Sequence, residues 1–171
     1  MPACQQESAV DTASGVLPVL IRSFRPGDEV AFKRLNEEWI VRYFVLEDKD
    51  REVLGDPVKY ILNPGGQILF AVVGDQIVGC CALAPEAPRE YEVAKMAVTE
   101  ACRGRGIGRM LLDAVIEEAR RMGASRLYLE TNSKLPAASR LYQSVGFCHL
   151  QPERVKPSLY ARADVFMEMF L

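Results

Sequence analysis

Histidine and tryptophan occur once each in this chain of 171 residues, and none of the five cysteines stands in a C-x-x-C pair. A Cys/His zinc centre needs four such ligands at short spacings, so no metal site is expected. The single His149 could serve only one Ser/His/Asp or Cys/His scheme, and it stands near no nucleophile motif. Long apolar runs are missing as well. None approaches the roughly 18 residues that a bilayer span requires, so no membrane association is expected. There is no basic excess: 21 Lys and Arg against 23 Asp and Glu leave a net charge of −2, which argues against a nucleic-acid partner. Residues 1–16 lack a basic stretch followed by an apolar core, so no secretory signal is expected. Internal repeats and low-complexity segments are also absent. An odd set of unpaired cysteines reads as reduced core thiols in a cytoplasmic protein. Cys80 and Cys81 are neighbours on an expected strand and should face opposite sides of it.

The length fits one domain, read as residues 17–171 behind a loose polar N-terminal tail at 1–16. Residues 19–24 predict a strand. Pro26, Gly27 and Asp28 then break the chain, with Asp28 placed to cap a helix. Phe32, Leu35, Trp39, Tyr43 and Leu46 follow at helical spacing, an aromatic-rich stripe whose main role is core. A short helical piece around residues 49–54 is limited by Pro57. Residues 67–73 and 76–84 are apolar and β-branched around Gly74 and Asp75, a hairpin signature, and Pro85 and Pro88 should end its second strand. Residues 90–99 predict a further strand, 103–108 a glycine-rich turn, and Leu111, Leu112, Val115, Ile116, Ala119 and Met122 one buried helix face that stops at Gly123. A strand at 126–131, a helix from Pro136 to Ser144 closed by Gly146, and a last strand at 164–171 complete a mixed α/β order.

The informative stretch is EVAKMAVTEACRGRGIG, residues 92–108. Its glycines at 104, 106 and 108 match neither G-x-G-x-x-G nor a Walker A loop. They do form a strand, a glycine turn and a helix start in succession. Such a turn lets the backbone approach a ligand, and the helix start offers free N–H groups with partial positive charge. Arg103, Arg105 and Arg109 add full charges, which makes this a site for phosphate or pyrophosphate. A turn that merely joins strand to helix is the competing explanation.

The spacing Arg103-x-x-Gly106-x-Gly108 resembles the acyl-CoA signature [QR]-x-x-G-x-[GA] of the GNAT N-acetyltransferase superfamily. Downstream, Leu141-Tyr142 four residues before Gly146-Phe147 is similar to that superfamily's second hallmark. The two occur in the expected order, and the resemblance covers about residues 21–147. It implies an α/β fold with a splayed, mixed, mostly antiparallel sheet flanked by helices, and an acetyl-CoA-dependent acyltransferase. By the same resemblance, the backbone of Met96, Ala97 and Val98 would pair with the pantetheine arm. The amides of Arg103, Gly104, Arg105, Gly106, Ile107 and Gly108, with Arg109 beside them, would hold the pyrophosphate. Many relatives carry Asn seven residues before the helical Tyr. Here that position is Leu135; Asn132 either substitutes for it or is a strand-end turn residue.

The chemistry gives two residues a role. An amine attacks a thioester only as the neutral base, so a carboxylate that takes its proton helps. Glu92, on the strand implied to carry CoA, matches the family's general base; a solvent-facing strand glutamate is the alternative. The leaving thiolate needs a proton, and Tyr142 matches the family's general acid; the alternative is a structural hydroxyl bonded to nearby backbone. A strand bulge near residues 96–98 should free an N–H for the developing oxyanion. For the acceptor, Trp39 and Tyr43 belong to the segment that walls the site in similar proteins. Glu37, Glu38, Glu47, Asp48, Asp50 and Glu52 make that region acidic, while Arg154, Lys156, Tyr160 and Arg162 could grip a carboxylate. Together they suggest a small amino-acid-like amine as acceptor, with Trp39, Tyr43 and Arg162 binding it. A protein or peptide amine, a non-catalytic acetyl-CoA-binding module and a homodimer remain open.

Overall fold

The computed structural model describes residues 17–171; the expected tail at 1–16, with Cys4, lies outside the described residues. Seven strands form one sheet in the order β1-β2-β3-β4-β5-β7-β6. They are β1 (Val19–Ser23), β2 (Gln67–Val73), β3 (Gln76–Ala87), β4 (Glu90–Val98), β5 (Arg126–Thr131), β6 (Cys148–His149) and β7 (Val165–Phe170). Four α-helices flank it: α1 (Glu29–Tyr43), α2 (Asp48–Gly55), α3 (Ile107–Arg121) and α4 (Pro136–Ser144). All strand pairs are antiparallel except β4–β5, which is parallel.

Strand alternation divides the core in two. On one face Leu69, Cys81, Leu83, Val93, Leu127 and Leu129 meet Ile107, Leu111, Leu112, Val115 and Ile116 of α3. On the other, Ile68, Phe70, Cys80 and Ala82 meet Phe32, Leu35 and Ile40 of α1. Cys80 and Cys81 fall in different cores, as adjacent strand residues should, and burial pushes the Cys80 thiol up to about 12. Both are core thiols, but Cys102 is half-buried and Cys148 exposed, so the expectation fails for those two.

Two features place the site. The β4–β5 pairing joins only residues 90–92 to residues 126–128; beyond it the strands diverge, and residues 93–98 of β4 have no strand along that edge. The β3–β4 register also shifts between Cys80 and Ala82, where Lys95 takes a left-handed φ of 52°. This bulge puts an extra residue into β4, so Glu92 and Lys95 both turn away from α3, while Met96 and Val98 pack against the core beneath it.

Several local expectations change. Asp28 precedes α1, but its carboxylate does not cap it: it takes two hydrogen bonds from Arg22 and one from the Arg25 amide, holding the loop instead. A π-helical turn at Val58–Leu62 follows Pro57. Strand β3 runs through Pro85 to Ala87, because past Leu83 it has only β4 as neighbour and an open edge tolerates a missing N–H. The two-residue strand β6 had no sequence signal. No helix of the described residues is long and apolar enough to cross a membrane.

Candidate active site

The glycine turn wraps the start of α3. Gly104 and Gly106 have φ of 75° and 76°, a region that side chains with a Cβ disfavour, and Gly106 is the residue before the helix. That path leaves the backbone N–H groups of residues 104–109 without an acceptor among the described residues; the first amide of the helix to find one is Met110, which donates to Gly106 at 3.0 Å. Six consecutive free donors at a helix N-terminus form an anion cradle. Arg103 and Arg105 make no ion pair among the described residues, whereas Arg109 is turned to Asp113 at 3.1 Å. The residues present therefore fit a pyrophosphate.

Tyr142 stands on α4, in the core cluster on the α3 face of the sheet. It is buried, its ring meets Phe147 edge-on at 6.0 Å, and its hydroxyl has no hydrogen-bond partner among the described residues. Burial, with Cys81 nearby, pushes this phenol above its ordinary value, so at neutral pH it keeps its proton. The alternative of a hydroxyl bonded to neighbouring backbone has no counterpart in the structure.

Glu92 faces a cavity of about 170 Å³. Glu86 of β3, Tyr128 and Glu130 of β5, and Lys156 and Tyr160 of the segment before β7 line it with Glu92. Burial, then repulsion from Glu130 and Glu86, pushes the Glu92 carboxyl up to about 8. Glu92 is half-buried on this cavity wall. Glu130 accepts hydrogen bonds from Tyr128 (3.0 Å) and Ser158, so the segment carrying Ser158 is tied across the diverging strands.

That segment is also fixed to α2. Asp50, fully buried, receives Arg162 at two points (2.6 and 2.8 Å) and Lys95 at 2.7 Å. Its own carboxylate completes a reciprocal cap with Glu47 at the start of α2. Burial alone would raise Asp50; the Arg162 and Lys95 hydrogen bonds outweigh it and hold the carboxyl at about 2. Arg162, expected to grip an acceptor carboxylate, has both terminal nitrogens engaged by Asp50 and Glu47.

The remaining expected residues are placed as follows. Asn132 donates to the Arg162 carbonyl and accepts from the Lys134 amide, the geometry of a turn residue. Trp39 packs against Phe44 with Arg162 over its ring, and Tyr43 is exposed beside Arg42; neither lines the Glu92 cavity. Glu86, Tyr128, Glu130 and Lys95 were missed by sequence reasoning. Tyr128 and Glu130 were accessible in principle, since Leu127 and Leu129 face the α3 core and strand alternation turns Tyr128 and Glu130 the other way. Lys95 was not, because the bulge reverses its side. Among the described residues no group of three or more His, Cys, Asp or Glu side chains is placed to hold a metal ion.

Comparison with known proteins agrees with this geometry. The pattern of the Acetyltransferase (GNAT) family matches residues 30–147. The N-acetyltransferase YjgM of Escherichia coli is 30% identical over 130 residues, 72% of this chain and 78% of that protein. YsnE of Bacillus subtilis is 36% identical over 92 residues, 52% of this chain, and the matched stretch spans only 61% of that relative. A GNAT-family acetyltransferase structure from Staphylococcus aureus Mu50 superposes with a TM-score of 0.81 at 22% identity, covering 90% of this chain and 99% of that one. A Bacillus subtilis acetyltransferase solved in complex with CoA gives 0.66 at 19% identity, over 90% and 99% of the two chains. With its family pattern spanning strand, glycine turn and the α4 hallmark alike, the chain belongs to the GNAT family of acetyltransferases.

Proposed function

We propose that the chain moves an acetyl group from acetyl-CoA to a small, amino-acid-like primary amine by direct attack in a ternary complex, with Glu92 as base and Tyr142 as acid. Acetyl-CoA supplies the activated thioester, whose C–S bond breaks as the C–N bond forms. The free amides of residues 104–109, with Arg103 and Arg105, hold its pyrophosphate. The unpaired edge at Met96, Ala97 and Val98 offers backbone groups to its pantetheine arm as an added strand would.

The observation that carries the reading is Glu92 on the cavity wall. A lysine-like ammonium has a pKa of about 10.4, so handing its proton to an ordinary carboxylate near 4.3 is uphill by about 8 kcal/mol. With Glu92 at about 8 the gap narrows to about 3 kcal/mol. Glu92 holds the amine's proton while Tyr142, still protonated, gives one to the departing sulfur.

The acceptor reading rests on the lining. Glu86 and Glu130 favour a cationic amine beside Glu92. Lys156 lines the same cavity and makes no ion pair among the described residues, so it takes the place of Arg162 as the group that meets a carboxylate. A volume of about 170 Å³ suits a small molecule. The test is a screen of amino acids, their decarboxylated amines and peptides, read by release of the CoA thiol. Turnover of amino acids above the matching amines is expected. Turnover confined to peptides or folded proteins would exclude the small-molecule acceptor, and the absence of any CoA binding would exclude the enzyme.

A further inference from the structure

Lys95 is a lysine in a place that lysines avoid. Its side chain is 6% exposed, its backbone is left-handed, and it sits in the bulge of the strand that carries Glu92. Burial lowers the pKa of its ammonium, opposed by Asp50. Three contacts hold that ammonium: a 2.7 Å ion pair with Asp50, a 2.9 Å hydrogen bond to the Tyr160 hydroxyl, and the Tyr160 ring, whose centroid lies 4.4 Å away. Asp50 belongs to α2 and Tyr160 to the segment closing the cavity, so one lysine joins three elements around the site. A burial this costly is unneeded for fixing α2, since Arg162 already meets Asp50 at two points.

We propose that Lys95 is a positioning residue for acetyl transfer: clamped by Asp50 and Tyr160, it presents a fixed positive charge to Glu92 and lets Glu92 share its cavity with Glu86 and Glu130. The inference rests on the reading of Glu92 as base. Glu86 from β3, Tyr128 and Glu130 from β5, and Lys156 and Tyr160 from the closing segment share the cavity with Glu92, and Lys95 acts from its own strand. Glu90, Arg126 and Arg154 line it too, but Arg126 is paired with Glu90 and Glu168 and Arg154 with Glu168. Glu86 and Glu130 push the Glu92 proton on; Lys95 pulls it off. Losing Lys95 would raise the carboxyl further and shrink the unprotonated fraction that can act as base at neutral pH. The hydroxyl of Tyr160 accepts from Lys95 and so keeps its own hydrogen for the cavity it lines.

The first measurement needs no acceptor. The side-chain carbonyl carbons of isotopically labelled glutamate are titrated by NMR in the full chain, and Glu92→Gln identifies the Glu92 signal by its loss. Lys95→Met should move the Glu92 midpoint upward by about one pH unit, the ordinary effect of losing one nearby opposite charge. Lys95→Arg, which keeps the charge, should hold the midpoint near the wild-type value and keeps the question answerable if Lys95→Met does not fold. In the thiol-release assay Lys95→Met should lower kcat at pH 7 about tenfold, with recovery at higher pH and an unchanged KM for acetyl-CoA. An unmoved midpoint in Lys95→Met, or a midpoint in Lys95→Arg displaced by a full unit, overturns the proposal while leaving Glu92 as base. A Glu92→Gln enzyme with full rate overturns the base reading itself, and the role of Lys95 with it.

Discussion

Gly108 and Leu141 touch across the site: a Cβ added to Gly108 would stand 3.3 Å from Leu141 Cδ2 and 3.4 Å from Met96 Cε. The glycine turn, the bulged strand and the Leu-Tyr helix therefore pack on one another, and the two hallmarks seen far apart in the sequence are one structure. Gly106 faces a different constraint. A Cβ there meets nothing within 4 Å, but its φ is 76°. Gly106→Val should cost about 1–2 kcal/mol of stability through the backbone alone. By moving the amides of the cradle, it should also weaken CoA binding tenfold or more. Calorimetry with CoA and thermal unfolding check both, and unchanged CoA affinity in a folded variant would remove the cradle from the binding site.

Asp50→Asn should be severely destabilising. The carboxylate is fully buried and neutralises two cations, and removing one partner of a buried ion pair costs about 3–5 kcal/mol. The sign with pH follows from its lowered pKa. The stability Asp50 contributes is present above its unfolded value near 4 and is lost as pH falls toward 2. The gap between wild type and Asp50→Asn in urea unfolding should therefore be widest at pH 6–7 and close between pH 4 and 2. A gap independent of pH over that range would show that charge is not what Asp50 contributes.

Tyr142→Phe separates chemistry from packing. The hydroxyl has no partner among the described residues, so its loss should leave the melting temperature within about 2 °C of wild type. kcat should fall by about 10²–10⁴-fold if the hydroxyl is the acid, with the KM for acetyl-CoA little changed. A large drop in melting temperature would reveal a structural bond instead.

Which elements were legible follows from what fixes them. Strand β5 and helix α4 fall on their expected residues, 126–131 and 136–144, because local signals bound both: alternation in the strand, Pro136 at the helix start and Gly146 after its end. The hairpin about Gly74 and Asp75 is equally local. The family motifs pointed to Glu92, Tyr142 and the glycine turn as candidates. What stayed hidden depends on pairing between distant residues. The bulge at Lys95 exists only in the register of β3 against β4, and the engagement of Arg162 exists only because α2 brings Asp50 beneath it, 112 residues away in sequence. A lone arginine near acidic segments cannot be told from a ligand-binding arginine until its partner is seen.

Glu92→Gln should trade activity for stability. Burial and its two glutamate neighbours raise the Glu92 carboxyl to about 8, far above its value in an unfolded chain. For a raised group, stability is fully present below the unfolded pKa near 4.5 and declines as pH rises through the folded value near 8. Wild type should thus lose stability between pH 5 and 8, because the folded chain must either keep a proton that the unfolded chain releases or carry a third charge in the cavity. Gln cannot ionise, so the variant escapes that loss. The two proteins should unfold alike at pH 4, and Glu92→Gln should be the more stable at pH 8–9, by about 4–5 kcal/mol. Its kcat should meanwhile fall by about 10²–10⁴-fold, and its rate should rise only as the free amine approaches its own pKa. Chemical denaturation at pH 4 and 9, with acetyl-CoA turnover on the same samples, reads both. A variant that is slower and also less stable at pH 9 would mean that Glu92 is a structural carboxylate, and one with full kcat and an unshifted profile would move the base elsewhere.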